Sequence, residues 1–326
     1  MNIKNHLLLL LTVCLLWSCS QQSDTRNLKL AHSLNAQHPV HLGMLEMGRI
    51  LDEISDGKMT MEIYANGQLG QERDLLELLQ IGSLDMTKVS VGALENFVPE
   101  MKVLTLPYIF RDSAHTWSVL QGPIGKQLLE KGSKYWLRGL CFYDAGSRSF
   151  YSKAKPILSP SDLEGMKVRV MNSQSAFDMV NALGGSPTPV SFGELYTALQ
   201  QGVVDGAENN APSFFTSRHY EVCKYYSIDE HSTIPDALIV STYLWESLSE
   251  QERKWLQEAA DQSVNYQKKV WAASVQESLT KVQAAGVEIF HPEKSPFQAK
   301  VQGLYQAFET DPELKQLISE IQNLGK

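Results

Sequence analysis

The feature that most constrains this chain is a hydrophobic period that switches between helix and strand, runs through several elements, and then starts over. Leu42, Leu45, Ile50, Leu51 and Ile54 recur at helical spacing, and Gly57 follows. Met59, Met61, Ile63 and Ala65 then alternate with Thr60, Glu62 and Tyr64, the two-residue period of a strand. Asn66-Gly67 makes a turn. Leu75, Leu76, Leu78 and Leu79 mark a second helix stopped by Gly82, and residues 86–91 read as another short strand. A first strand at 27–30 leads into a loop holding His32, His38 and His41. Such alternation predicts α/β units on a parallel sheet.

The pattern restarts near residue 138, with strands expected at 140–143, 167–171 and 203–205. Ser161 with Glu164, Ser191 with Glu194 and Ser249 with Glu252 have the spacing of capping boxes. The last opens a helical stretch over 250–285 with an apolar stripe of Trp255, Leu256, Ala259, Val264 and Val270, long enough to brace two modules. The tail over 298–324 is helical again. No Gly- or Pro-rich linker divides the modules, so the chain is expected to cross between two lobes more than once. Ligands of open α/β sheets bind at the carboxyl ends of strands; in a two-lobed protein those ends face each other across a cleft.

The N-terminus sets the compartment. Lys4 precedes an apolar run over 7–16, followed by Trp17-Ser18-Cys19. This is a secretory signal, too short to span a membrane. Leu16-Trp17-Ser18-Cys19 resembles a bacterial lipobox, so residues 1–18 are expected to be removed, Cys19 lipidated and 19–27 left as a tether. The expected location is periplasmic, with the membrane touched only through the lipid. Cleavage removes one of the 29 Lys+Arg and none of the 37 Asp+Glu, taking the net charge from −8 to −9. That excludes non-specific nucleic-acid binding, which needs clustered cations. Cys141 and Cys223 lie in apolar settings and read as buried thiols.

Catalytic signatures are missing. Gly185-Ser186-Pro187 and Gly146-Ser147-Arg148 lack the second glycine of a nucleophile elbow, and Gly125-Lys126 is followed by Gln127 rather than Ser or Thr. His38 and His41 stand three apart with no third ligand nearby, so no metal and no cofactor is expected there and the pair reads as polar loop. An exported enzyme is the rival class, but no motif favours it. Polar residues at strand ends stand out instead. Arg148 follows an apolar strand and Arg169 sits in Lys167-Val168-Arg169-Val170-Met171-Asn172. Spacing alone turns an Arg between two Val residues to solvent. Two guanidiniums converging on a cleft would make a carboxylate site. Asp205-Gly206-Ala207-Glu208-Asn209-Asn210 is either another strand end or a plain turn.

At these residues the chain resembles the solute-binding proteins of tripartite ATP-independent periplasmic (TRAP) transporters, the DctP family. The resemblance covers essentially the whole mature chain. It is carried by Gly67-Gln68-Leu69-Gly70 with Glu72-Arg73, Leu106-Pro107-Tyr108, Gly165-Met166-Lys167-Val168-Arg169-Val170, Gly185-Ser186-Pro187-Thr188-Pro189, Glu194-Leu195-Tyr196-Thr197-Ala198-Leu199-Gln200 and Val204-Asp205-Gly206-Ala207-Glu208-Asn209. It implies a bilobal α/β periplasmic-binding fold with hinge strands and a long helix spanning both lobes. The expected division is 28–146 plus 236–275 for lobe I and 147–235 plus 276–326 for lobe II, with part of the C-terminal region returning to the first lobe. Arg169 is expected to salt-bridge the ligand carboxylate with two prongs, Arg148 to be the second cation, Asn209 to steady the carboxylate and Phe192 to lie beside the ligand. Glu72 takes ligand hydroxyls or amines. Ser90 stands where sialic-acid binders carry Glu, and Lys88 shares its strand face. Asn172, His32 and Asp236 complete the expected contacts. Residues 144–151 and 170–210 resemble the hexuronate-binding subgroup. A C4-dicarboxylate or another hydroxy or keto acid is the alternative ligand, and a sensor for a signalling partner the alternative role. The implied partners are a small organic acid and a TRAP membrane permease, with the receptor itself a monomer.

Overall fold

The computed structural model describes residues 25–325, so the export segment and Cys19 lie outside the described residues. Two sheets carry the described chain. The first is built from β1 (Arg26–Ala31), β2 (Met59–Tyr64), β3 (Met86–Ser90), β4 (Leu137–Tyr143) and β10 (Asp236–Ser241). The second holds β5 (Ser147–Ser152), β6 (Lys167–Val170), β7 (Ser186–Pro189), β8 (Gly206–Asn209), β9 (Tyr225–Thr233) and β11 (Glu288–Phe290). Their orders are β2-β1-β3-β10-β4 and β11-β9-β5-β8-β6-β7.

The expectation of parallel sheets is corrected: both are mixed. β2-β1-β3 and β8-β6-β7 are parallel, whereas β10 runs antiparallel between β3 and β4, and β5 antiparallel between β9 and β8. The crossings explain it. The chain leaves β4 and enters β5 three residues later, then leaves β9 and enters β10 two residues later. Each short link carries one strand of the pair from one sheet into the other, so the antiparallel pairing of β5 with β9 continues as that of β4 with β10. The result is an antiparallel ribbon through both sheets, with Tyr143 opposite Asp236 on one side of the crossing and Ser147 opposite Thr233 on the other.

The helix Glu250–Ala284, capped by the expected Ser249–Glu252 box, packs on the first-lobe helix Pro39–Ile54 and on the second-lobe helix Ala211–Thr216. Its Gln267 clamps the crossing, accepting from Asp144 N and donating to Asp144 O, both at 2.8 Å. Gly43 permits that approach, since a Cβ there would stand 2.6 Å from Gln267 Cγ. Leu28, Leu30, Met44, Met47, Leu51, Leu75 and Leu79 belong to the main core; Tyr151, Leu195, Leu199, Phe214 and Tyr226 form a second cluster under the other sheet. Cys141 and Cys223 are free and buried.

Several local expectations shift. Residues 203–205 are bend and irregular chain rather than strand; β8 begins at Gly206, so the Asp205–Asn210 motif contains the strand itself. The capping box expected at Ser161 sits two residues earlier, between Ser159 and Asp162. His38 and His41 are not in a polar loop. His38 is the N-cap of Pro39–Ile54, its Nδ1 accepting from Val40 N, and both imidazoles are buried. The tail divides differently from the 276–326 boundary: helix Pro312–Asn323 lies on first-lobe residues, with His115 Nε2 2.8 Å from Ile321 O and Arg111 donating to Gln322 O and Leu324 O. Its apolar face of Leu317, Ile318 and Ile321 is what that lobe buries.

Candidate functional site

The carboxyl ends of β3 and β6 and the crossing strands meet at one small cavity lined mostly by polar and charged side chains. The lobes touch around it. Asn96 Nδ2 donates to Asn172 O at 2.7 Å, Gly193 N to Gln71 Oε1 at 3.2 Å and Asn35 Nδ2 to Thr216 O at 3.0 Å, while His38 Nε2 lies 3.1 Å from Ser213 Oγ. The structure is therefore a closed form.

Three Lys or Arg side chains are buried among the described residues: Lys88, Arg148 and Arg169. Lys88, on β3, donates to Asp236 Oδ1 at 3.1 Å and to Glu72 Oε1 at 3.2 Å. Burial opposes its charge, but Asp236 and Glu72 outweigh burial and hold the ammonium above its ordinary pKa. Arg148, on β5, has four of its five donors taken by β8. Its Nε pairs with Glu208 Oε2, Nη2 with Glu208 Oε1 at 2.8 Å and the Glu208 carbonyl at 2.9 Å, and Nη1 with Asn209 Oδ1 at 2.9 Å. One of its five N–H groups, on Nη1, is left over. Behind Glu208 stands His231, between Glu208 Oε2 at 3.4 Å and Asp229 Oδ2 at 2.9 Å. Burial works against the charge on both, yet Arg148 and His231 hold Glu208 down at about 2, and Asp229 and Glu208 lift His231 to about 9. Arg148, Glu208, His231 and Asp229 thus form a charge-balanced chain.

Arg169 differs. Its Nε donates to Val190 O at 2.8 Å, and the Phe192 ring lies 6.0 Å from its Cζ. Burial pulls its pKa below the ordinary Arg value, though a guanidinium stays charged at any working pH. Among the described residues no carboxylate pairs with it, its hydrogen bond comes from Nε alone, and the side chain lines the cavity.

Arg148 also fixes an amide. Because Asn209 Oδ1 accepts from both Arg148 and Asn210 N, its Nδ2 is left to face the cavity as a donor. At the other end, Glu72 Oε1 accepts from Lys88 and from Ser90 N at 2.8 Å, leaving Glu72 Oε2 and Asp236 Oδ2 as acceptors without a partner among the described residues. The cavity therefore combines donors and positive charge from Arg169, Arg148 and Asn209 with acceptors and a net negative charge from Glu72, Asp236 and Lys88.

The family described as DctP, bacterial extracellular solute-binding protein, family 7, matches residues 30–311. The chain belongs to this family. It is an extracytoplasmic solute receptor of the TRAP type, and its relatives share its whole fold. A TRAP solute-binding protein of a Bradyrhizobium species, crystallised with α/β-D-galacturonate, is 41% identical at a TM-score of 0.89, covering 91% of this chain and 99% of that one. One from Xanthobacter autotrophicus Py2 with bound β-D-galacturonate is 40% identical, TM-score 0.88, over 90% and 99% of the two chains. One from Anaerococcus prevotii with bound α/β-D-glucuronate is 36% identical, TM-score 0.89, over 91% and 97%.

In this receptor Arg169, Arg148, Asn209, Glu72, Phe192, Lys88, Ser90 and Asp236 line one cavity, as a set the sequence named. Asn172 lines the adjoining mouth instead. His32 is not in the wall: it lies behind it, accepting from Leu34 N at 3.1 Å and meeting His41 at 2.9 Å, and burial followed by Lys88 pushes its pKa to about 3, so it is neutral. The sequence reading missed Ser33, whose buried hydroxyl has no partner among the described residues, and His38, Asn210 and Ser213 beside it. A signal for His38 was present, since Pro after a polar residue is a helix-start pattern.

Proposed function

We propose that this receptor captures a hexuronate, D-glucuronate or D-galacturonate, as a monoanion, closes over it, and delivers it to a TRAP membrane permease. The observation that carries this reading is Arg169: a buried guanidinium with a free donor fork and no internal carboxylate. The ligand carboxylate supplies the missing partner through two parallel charge-assisted bonds. The spare Nη1 hydrogen of Arg148 and the Asn209 amide add donors to the same group. Ring hydroxyls donate to Glu72 Oε2 and Asp236 Oδ2. A second carboxylate on that side would meet two anions screened by one ammonium, and like charges desolvated together cost several kcal/mol; this disfavours a C4-dicarboxylate. The uronates bound in the relatives support the same class. Closure excludes water, which strengthens each charged contact. A thermal-shift screen against uronates, dicarboxylates and keto acids tests the assignment, and stabilisation by dicarboxylates alone would reject it.

We also propose that Cys19 carries a lipid that tethers the receptor to a membrane. Metabolic labelling with a palmitate analogue should mark the wild type and leave Cys19→Ser unmarked.

A further inference from the structure

Glu95 is a buried carboxylate that plays no part in the cavity. It follows the short helix Val91–Leu94 in the first lobe, yet most of its partners belong to the second. Its Oε1 accepts from Ser173 Oγ at 2.8 Å and from Ser175 N at 2.9 Å; its Oε2 accepts from Ser175 Oγ and from Thr105 Oγ1, each at 2.8 Å. Only Thr105 is on its own lobe. Among the described residues no Lys, Arg or His pairs with it. The receiving end is the start of helix Gln174–Ala182, whose N-cap is Ser173. A carboxylate at a helix N-terminus is favoured by the dipole and by the unpaired first-turn N–H groups. Four donors around one carboxylate also supply what burial of an unpaired charge requires.

Arg169 is buried in the closed form, so a ligand reaches it only when the lobes part. Parting them breaks three of the four bonds to Glu95 and returns its carboxylate to water. Ser173 and Ser175 follow β6 directly, so the clasp and the Arg169 fork move on one element. Neither needs the other's partner.

We propose that Glu95 clasping Ser173 and Ser175 is a closure device that works without ligand, sets how much of the receptor is closed, and so scales affinity for whatever the cavity holds. The apparent dissociation constant is the intrinsic one divided by the fraction that is competent, so a clasp that favours the closed form tightens binding by slowing ligand escape, without touching the ligand. It rests on the receptor reading only in that the site must open and shut.

Amide hydrogen exchange on the ligand-free full-length protein tests it, because the Ser175 amide is protected by Glu95 only when the lobes are together. In Glu95→Ala, exchange over residues 172–177 should accelerate about tenfold or more, the scale of losing hydrogen bonds to a charged group. Sheet amides of β3 and β8 should stay at wild-type rates. Glu95→Gln should keep most protection, since its carbonyl retains two donors and the hydroxyls of Ser175 and Thr105 can turn to accept from its amide. Ser175→Ala, which leaves the first lobe untouched, should give an intermediate acceleration and decides the matter should Glu95→Ala not fold. With a bound uronate, Glu95→Ala should release it about tenfold faster, while association, which needs the open form, should not slow. Wild-type exchange over 172–177 in folded Glu95→Ala, or in Ser175→Ala, would overturn the proposal. No uronate binding alongside accelerated exchange would overturn the ligand assignment and leave the clasp standing.

Discussion

Replacing Arg169 by Met separates a ligand-holding cation from a structural one. Met keeps the side chain's length and apolar stem and removes the charge. In the bound state the change leaves a buried ligand carboxylate without its main partner, which costs about 2–5 kcal/mol, or roughly 30- to 5,000-fold in affinity. In the ligand-free state it removes a desolvated charge that no internal carboxylate compensates, at the expense of one hydrogen bond to Val190 O, worth about 1 kcal/mol. The two effects oppose each other, so the ligand-free melting temperature should move by no more than about 4 °C in either direction. Calorimetric titration with D-galacturonate and D-glucuronate, alongside thermal unfolding without ligand, reads both quantities. The reasoning is refuted if affinity is unchanged, or if Arg169→Met destabilises the empty protein as strongly as loss of a buried ion pair would.

Arg148→Met should do the latter. It strands Glu208, and breaking a buried pair costs about 3–5 kcal/mol, so its thermal unfolding should fall well below that of Arg169→Met. Lys88→Met leaves half-buried Glu72 beside buried Asp236 with no cation between them; it should destabilise the empty receptor, and adding Glu72→Gln should recover part of the loss in the same assay. His231 has a folded pKa of about 9 against an ordinary 6.5. Its stabilising contribution is complete below pH 6.5 and disappears as pH rises through 9. Melting temperature should decline across that window in the wild type, and more shallowly in His231→Gln.

What the sequence discloses follows from what hydrophobic period can encode. The Met59–Tyr64 strand, the Leu75–Leu79 stripe and the Ser249–Glu252 cap are local patterns, and each appears in the fold. The antiparallel insertion of β10 is not local. It depends on a two-residue crossing, Ile234-Pro235, whose proline marks a break in the chain but not the direction or the partners of the strand that follows. Arg169 was misread by spacing because alternation reports only that one face differs from the other. Whether the polar face meets water or a cavity depends on β7, β8 and the opposite lobe. The likeness to a family corrected that reading where the pattern did not. Glu208 and His231 look like ordinary strand charges until folding places them within 3.4 Å, across 23 residues. Glu95 was equally silent, its partners lying 10, 78 and 80 residues away.

The central claim is that a buried Arg169 with no carboxylate partner, sharing its cavity with the acceptors of Glu72 and Asp236, selects a hydroxyl-rich monocarboxylate. Isothermal titration of the wild-type receptor with D-galacturonate and D-glucuronate, and in parallel with succinate and malate, addresses it directly. The account predicts saturable binding of at least one uronate with a dissociation constant at least about a hundredfold below that of either dicarboxylate, equivalent to some 2.7 kcal/mol of discrimination. Succinate or malate binding as tightly as the uronates would contradict it.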